Sequence, residues 1–491
     1  MNSDQLSFSY ETIFDIVYDE FLNKYPNEYQ IFDLKILEKL ITRVDIKFQN
    51  ANNLIQIEQD MEQTAKQLIL SKMEEYHLEV ANSIKYMRQC PNHEQRSPEW
   101  YAARYEKISA SSIYKVEKPD NNGYLDLKFE KIGIQMKPFG FNDAIIHGVM
   151  FEQVSQVLYE TRNKIKISEF GCIPHKDLSY IGASPDGVVI IPELLDFNQN
   201  KEYLDYQKIM DKYDINQLIL HGRLLEIKNP YSRIIDGVIP DKYNKQINIQ
   251  QEVCGLPVCD YLETNYIFYD TAEDFFKDTY NLIDNDPYAS DDSTSSIYNS
   301  SSIENKNIPW VNLGSDGKEK GYLIKFSNKT EVDLYYNNND FENNNNNNNN
   351  KAPEYKYEGI LFDITINYSQ EQFKRWKEEK IIEMNEKGME VEVEYYFKVK
   401  EYLVQTVYFD SKLKNFLINK SRKLWNEIIV ERQLSDQELM DKYGSKIELI
   451  EPPLFKLDDN YKQISKKYKN RNIKKYVKPR KEIIKLCDYD F

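Results

Sequence analysis

The 491-residue sequence predicts an α/β protein in which a central mixed sheet is flanked by helices, with a helical region in front of it. Three observations predict this class. Apolar residues recur at helical spacing through residues 1–92, short apolar stretches with the two-residue period of strands follow, and amphipathic helical patterns stand on both sides of those stretches.

The first region shows its spacing in Ile13, Ile16, Val17 and Phe21, and again in Ile36, Leu37, Leu40 and Ile41. A further helix is predicted from about Asp60 to Met87. This region is either an independent module or a helical cap, and it carries no nameable chemistry. From Trp100 the pattern turns mixed, with strand-like runs at Ser179 to Ile191, Leu224 to Ile227 and Tyr266 to Tyr269. Between them HGVMFEQVSQVLYE (His147 to Glu160) reads as a helix that turns Phe151, Val154, Val157 and Leu158 inward, and KYNKQINIQQEVCG (Lys242 to Gly255) reads as a second.

Asp284 to Lys306 is rich in Asp, Ser and Asn, and Asn337 to Asn350 is nearly all Asn, so both read as loops inserted in the domain. After them come a strand at Gly359 to Tyr368, a helix near Gln370 to Glu386, and two strands within Val391 to Asp410. A helix bearing Leu413, Phe416, Leu417, Leu424 and Trp425 closes the pattern. The expected organisation is a helical region over 1–92, one α/β domain over 93–435 with insertions at about 192–221 and 284–350, and a basic tail over 436–491.

Composition narrows the class. Hydrophobic residues make up 41% and the mean hydropathy is -0.69, which suits a protein with some highly solvated stretches. No window reaches the roughly 18 apolar residues a membrane helix needs, and MNSDQLSFSYETIF lacks the order of a signal peptide, so an intracellular protein is expected. The five cysteines are scattered without a CxxC pair, which argues against a disulfide framework and a zinc site. A net charge of -16 opposes nucleic-acid binding, but charge is uneven: Lys466 to Lys481 is densely basic, and an acidic total does not prevent a locally positive channel.

The sharpest local feature is SYIGASPDGVVII followed, after a gap, by GRLLEIKNP. Asp186 stands at a Pro-Asp-Gly turn, and the strand period puts Glu226 and Lys228 on one face of an apolar strand. A hard divalent cation explains two polar groups facing alike in a buried strand. Asp186 and Glu226 offer carboxylates to Mg²⁺, with Mn²⁺ the alternative, and the Ile227 carbonyl adds a third oxygen. Lys228 would then orient or help deprotonate the attacking water. On these letters alone a hairpin turn beside a solvated strand face suits equally well.

Flanking residues extend the pattern. Glu152 lies near the start of the 147–160 helix, where a carboxylate can reach the metal. Gln246 and Gln250 stand four residues apart on one face of the 242–255 helix, where they can line the metal-bound water and the phosphate. Upstream, SPEWYAARYEKISASSIYKV sets Trp100 and Arg104 on one helical face before a Ser-Ala-Ser turn, so that Arg104 with Ser109 or Ser111 would make a charge-assisted pocket for a terminal phosphate.

Taken in order, W-x3-R-x4-SAS, HG-x3-E, SPDG, LEIKNP and the helix ending QQEVCG resemble the YqaJ-type viral recombinase family, relatives of lambda exonuclease in the PD-(D/E)xK nuclease superfamily. The resemblance covers roughly Trp100 to Tyr269, with a weaker echo in the strands and helix after Glu394. It implies a restriction-endonuclease-like core and Mg²⁺-dependent hydrolysis of duplex DNA from a 5' end. It also implies Asp186, Glu226 and Glu152 at the metals, Lys228 as the catalytic lysine, and Gln246 and Gln250 on the active-site helix. Arg104, Ser111 and Ser184 fall where relatives bind the 5'-phosphate.

Two departures stand out. About forty residues separate Asp186 from Glu226, so Pro192 to His221 reads as an insertion beside the active site, placed to cover or gate the cleft. A position that is often Gln in relatives is Asn248, two residues from Gln246 and therefore off its face.

The expected function is a metal-dependent DNA exonuclease, 5'-to-3' on duplex ends, in viral recombination, repair or genome processing. A structure-selective endonuclease and a non-cleaving DNA-binding or virion-packaged protein are the alternatives. Expected partners are double-stranded DNA ends, a single-strand annealing protein and further copies of the chain, without a membrane. Asn-, Lys- and Ile-rich usage fits the AT-rich genome of a large DNA virus, with host cytoplasm, a viral replication site or the virion as location.

Overall fold

The computed structural model describes residues 9–25, 27–52, 54, 59–91, 93, 98–119, 121–133, 143–195, 206–279, 312–328, 355–361 and 369–444. The basic stretch Lys466 to Lys481 and the Asn run Asn337 to Asn350 lie outside them.

Helices α1 (Tyr10–Lys24), α2 (Leu34–Asn52), α3 (Gln59–Lys72) and α4 (Glu74–Gln89) build the leading region. The helix expected over 60–87 is two, broken at Met73, which is buried and sits at the N-cap of α4. The four helices do not stand apart from the α/β part of the chain. Phe14, Val17, Leu40, Ile69 and Ile84 share one continuous core with Ile108, Val188, Leu224 and Ile247. Polar ties cross the same boundary: Tyr76 Oη donates to the His221 carbonyl at 3.3 Å, Tyr86 Oη to the Pro174 carbonyl at 2.8 Å and Ser83 Oγ to the Gly255 carbonyl at 2.8 Å. Gly222 is required where they meet. Its φ is +80°, and an added Cβ would fall 2.5 Å from Val80.

The α/β part begins with α5 (Pro98–Tyr105), β1 (Ile108–Ser109), α6 (Asn122–Ile132) and α7 (Asp143–Asn163). Strands β2 (Ile167–Ser168), β3 (Ile173–Pro174), β4 (Ile181–Ala183) and β5 (Gly187–Val189) come next. The short helices α8 (Tyr206–Met210) and α9 (Ile215–Leu218) then lead to β6 (Leu224–Lys228), α10 (Asp241–Cys254), β7 (Val258–Phe268) and α11 (Ala272–Lys277). The remaining elements are β8 (Lys320–Ser327), β9 (Tyr355–Leu361), α12 (Gln370–Glu386), β10 (Glu390–Tyr408), α13 (Ser411–Glu431) and α14 (Asp436–Tyr443).

Seven strands form one mixed sheet in the order β2-β5-β6-β7-β10-β8-β9, and β1-β4-β3 form a second, smaller sheet. Strands β6 and β7 run parallel, as the α10 crossover between them requires, and the other neighbours in the large sheet are antiparallel. This is the central mixed sheet flanked by helices that the sequence predicts.

The stretch Ser179 to Ile191, which reads as one strand-like run, divides between the two sheets. Pro185 cannot donate to a ladder, and the chain crosses from β4 to β5 at Ser184, Pro185 and Asp186. Strand β7 starts eight residues before the run expected at Tyr266. It is buried on both faces, so the alternation that marks an exposed strand is missing.

Val391 to Asp410 holds one strand, not two. Strand β10 pairs with β7 along 397–408 and with β8 along 390–398, and its register shifts at Val391/Val393 and Val399/Glu401 bend a single strand where two were expected. The curled sheet receives α7 on one face, where Met150, Phe151, Val154 and Leu158 meet Tyr266, Leu323, Phe397 and Val399. On the other face Tyr322, Ile324 and Phe326 meet Phe275 and Phe373.

Two readings of insertions are corrected. The interval 284–350 is more than loop, because β8 lies inside it and pairs on both sides within the sheet; polar, Asn-rich flanks hide it. Residues 206–221 do not cover the cleft. Ile215, Leu218 and Ile219 must bury apolar surface, and they join the core shared with the leading helices, while Gln217 ties to the Lys164 carbonyl at 2.6 Å.

Candidate active site

Strand β6 is the axis of the site. Its Leu225 and Ile227 pack with Tyr159, Val189 and Leu262, so the two-residue period turns Glu226 to the other face, against α10. There Gln246 and Gln250, one helical turn apart, donate to the two carboxylate oxygens: Gln246 Nε2 to Oε1 at 2.6 Å and Gln250 Nε2 to Oε2 at 2.7 Å. Helix α10 is stopped in place by Gly255, which takes the left-handed conformation at its C-cap with φ 66°. Lys228 Nζ completes the set by donating to Glu226 Oε1, and to the Ile227 carbonyl at 3.0 Å. Glu226 is 1% exposed and has three donors.

The glutamines therefore hold Glu226 and do not face open space as the sequence suggested. Asn248 is buried on α10 and makes no contact with the carboxylates, in keeping with its place off the face of Gln246.

Asp186 reaches the same strand from the turn before β5. Its Oδ2 accepts the Ile227 N–H at 2.7 Å, while the β5–β6 pairing sets Gly187 opposite Leu225. Burial, then the nearby charge of Glu226, and further that of Glu152 push the Asp186 carboxyl well above the usual carboxylate range, against the pull of Lys228. Burial opposes the charge on Lys228, but the carboxylates of Glu226 and Asp186 outweigh it and hold the ammonium form above its ordinary value.

These groups meet at a cavity of about 390 Å³ lined by Glu152, Asp186, Ile227 and Lys228, together with Ala144, Gly148, Asn229, Pro230, Tyr231, Arg233 and Tyr243. Glu226 stands behind this lining. Among the described residues no group of three His, Cys, Asp or Glu side chains is gathered closely enough to hold a metal as they stand. The donor types nevertheless fit a hard divalent cation. Three carboxylates and a main-chain carbonyl crowd one end of a strand, and the crowding that raises Asp186 is what such a charge would relieve.

The second predicted group is brought together in part. Arg104 Nη2 donates to Ser111 Oγ at 2.9 Å, and Ser109 Oγ lies 3.0 Å from Ser111 Oγ. Parallel pairing of β1 with β4 sets Ser109 opposite Gly182, so the chain leaving β1 toward Ser111 runs beside the chain leaving β4 toward Ser184. Ser184 Oγ is buried without a hydrogen-bond partner among the described residues. Gln250 links the two groups, because its Nε2 also lies 3.5 Å from the Ser184 carbonyl. The placement of the Trp100 side chain lies outside the described residues.

Several lining residues escape a sequence reading. Tyr243 lies 5.2 Å from Lys228 Nζ, ring centroid to nitrogen, and Arg233 pairs with the buried Glu263 next to Lys228 in the β6–β7 register. Asn229 carries a signal in retrospect, since it directly follows the lysine in LEIKNP.

Residues 99–257 match the model of the YqaJ-like viral recombinase domain, the stretch in which the ordered motifs resemble that family. Uncharacterized protein R354 of Acanthamoeba polyphaga mimivirus is 30% identical over 257 residues, which is 50% of this chain and 42% of that protein. The chain thus spans less than half the length of this viral relative. The crystal structure of an alkaline exonuclease (LHK-Exo) from Laribacter hongkongensis is 23% identical, covers 34% of this chain and 74% of its own, and gives a TM-score of 0.25. LHK-Exo in complex with dAMP is likewise 23% identical, covering 36% and 77%, with a TM-score of 0.26. Among the described residues no helix is long and apolar enough to cross a membrane.

Proposed function

We propose that this chain is a divalent-metal-dependent deoxyribonuclease, a 5'-to-3' exonuclease on duplex DNA ends serving recombination, repair or genome processing in a large DNA virus. The observation that carries the reading is the meeting of Asp186, Glu226, Lys228 and Glu152 at one cavity at the end of β6. The family model matched over 99–257 supports the same class.

Asp186, Glu226, Glu152 and the Ile227 carbonyl are the oxygens that would hold Mg²⁺ or Mn²⁺, which supplies Lewis acidity toward a phosphodiester when bound. The chain's own residues do the rest. Glu226 is kept oriented by Gln246 and Gln250. Lys228, held in its ammonium form, donates hydrogen bonds to a water or a developing phosphate charge and does not take up a proton in that state. Arg104 with Ser111, beside Ser184, offers charge-assisted donors to a terminal 5'-phosphate. In this reading DNA ends are the substrate, and an annealing protein is the partner that would receive the exposed single strand.

The test uses 3'-labelled linear duplexes with 5'-phosphate or 5'-hydroxyl ends, and covalently closed circular duplex, each with Mg²⁺, Mn²⁺, Ca²⁺ or chelator. Stepwise shortening of 5'-phosphorylated linear DNA with Mg²⁺ or Mn²⁺ is expected, with Ca²⁺ permitting binding alone and the closed circle left intact. Nicking of the closed circle would replace the exonuclease with an endonuclease. Cleavage that resists chelation, or no cleavage at all, would overturn the proposal.

A further inference from the structure

We infer that Asn229 is a positioning residue that fixes α7 against β6 so that Glu152 faces the Asp186 side of the cavity. Its consequence for cleavage rests on the nuclease reading above; its geometry does not.

Asn229 directly follows Lys228 and is buried, and through three different groups it holds α7 across two turns. Its main-chain oxygen accepts from His147 Nδ1 at 3.3 Å, its Nδ2 lies 3.4 Å from the Gly148 carbonyl, and its Oδ1 accepts from Ser155 Oγ at 2.6 Å. Gly148, Glu152 and Ser155 stand at i, i+4 and i+7, so they share one helical face. The two side-chain contacts therefore bracket Glu152. Sliding or rotating α7 by one residue would break both and carry Glu152 away from Asp186.

The hydrogen bonding explains why the residue is Asn. Thr264 Oγ1 of β7 also donates to Oδ1, and Tyr266 Oη lies 2.8 Å from Ser155 Oγ. Three hydroxyl protons are then placed without conflict: Ser155 and Thr264 give theirs to Asn229, and Tyr266 gives its own to Ser155. One amide thus accepts twice and donates once. Asp lacks the donor for Gly148, and Leu would strand the hydroxyls. Ser155 and Thr264 are both 0% exposed, so the network is costly when broken and specific when complete. It joins α7, β6 and β7 at the lysine of the site.

The test compares Asn229→Ala and Ser155→Ala in the full chain by hydrogen exchange of the α7 amides with a thermal melt, and sets Asn229→Ala in a double-mutant cycle with Glu152→Gln in Mn²⁺-dependent cleavage. Faster exchange across 148–155 is expected in both variants while the fold persists. Single-turnover cleavage should fall about 10- to 100-fold with KM for DNA little changed. On the Glu152→Gln background the same change should remove less than about threefold more, since it acts through that carboxylate. Unchanged α7 exchange in both variants, or full additivity in the cycle, would overturn the inference. If the wild-type chain cuts no DNA, the nuclease reading fails by itself, and the exchange measurement still decides whether Asn229 places the helix. If Asn229→Ala does not fold, α7 exchange in Ser155→Ala decides between the two outcomes.

Discussion

Gln250 Nε2 lies 2.7 Å from Glu226 Oε2 and 3.5 Å from the Ser184 carbonyl, so one residue of α10 touches both the strand that carries the carboxylate and the turn that leads into Asp186. Replacing it with Leu leaves Glu226 to Gln246 and Lys228 and removes the link to the turn. The cleavage rate should fall about 10- to 100-fold, as for other residues that orient a ligand. The loss of one donor to a buried carboxylate should cost about 1–3 kcal/mol. Rate and denaturant midpoint measured on the same preparation check this, and an unaltered rate would show that Gln246 alone suffices.

Lys228 is held as an ammonium by Glu226 and Asp186 and makes its contacts by donation. Lys228→Ala should reduce single-turnover cleavage by at least about 100-fold, the scale seen when a preorganised donor to developing charge is lost. Binding of duplex with Ca²⁺ should stay within about threefold, since one phosphate-facing cation is a small part of DNA affinity. Lys228→Arg should not restore the rate, because a planar guanidinium cannot occupy the same site between Glu226 and the Ile227 carbonyl. Equal degradation by the Ala variant would remove the lysine from the mechanism.

The site was readable where its chemistry is local. Glu226 and Lys228 alternate along a strand, and Gln246 and Gln250 recur along a helix, so periodicity alone places each pair on a face. Asn229 was not readable, because its partners Gly148, Ser155 and Thr264 come from other elements and are chosen by packing. The same limit applies to β8, flanked by polar low-complexity sequence, and to β10, where bulges imitate a break between two strands. Residues 206–221 were misplaced for a related reason. Their apolar residues announce burial, but only the structure shows that the leading helices supply the covering face.

Arg104 donates to Ser111 at 2.9 Å at the far side of the Gln250 link from the carboxylates. Arg104→Ala should therefore erase the preference for 5'-phosphorylated over 5'-hydroxyl ends while leaving Mn²⁺ binding intact. Competition between the two duplex types reports the first and titration calorimetry the second. A preference that survives the substitution would place the terminal phosphate elsewhere.

His77 and His221 face each other with ring centroids 5.7 Å apart where α4 meets the chain before β6. Burial lowers His77 to about 3, and burial with the neighbouring imidazole puts His221 well below its ordinary value. The unfolded chain then binds more protons than the folded one at any pH below about 6.5, so stability falls as pH falls. Between pH 7 and 5 the loss should be about 2 kcal/mol per histidine. Urea midpoints across that window should drop in the wild type and drop by roughly half as much in His77→Phe. Identical slopes would place the acid sensitivity in other groups. The window stops above the range where paired carboxylates such as Asp278, held very low by Lys398 and Ser315 despite its burial, begin to titrate.

Arg223 joins the leading helices to the sheet through one guanidinium. Its Nη1 donates to Asp260 Oδ1 at 2.7 Å, and its Nη2 to the Phe32 carbonyl, while Tyr159 and Thr406 donate to the same carboxylate at 2.6 Å and 3.0 Å. Both charged residues are nearly inaccessible to solvent, so Arg223→Met strands Asp260 as an uncompensated buried charge. Removing one partner of such a pair costs about 3–5 kcal/mol, whereas replacing both with apolar residues is often close to neutral. Arg223→Met should therefore destabilise strongly, and Arg223→Met with Asp260→Leu should recover most of the loss. Recovery must stay incomplete, because the Phe32 carbonyl loses its donor in both variants. Urea unfolding of the wild type, the single variant and the double variant resolves the three levels. A double variant no better than the single would mean that the guanidinium acts mainly through Phe32, as the tie between the helical region and the sheet, and not through its charge partner.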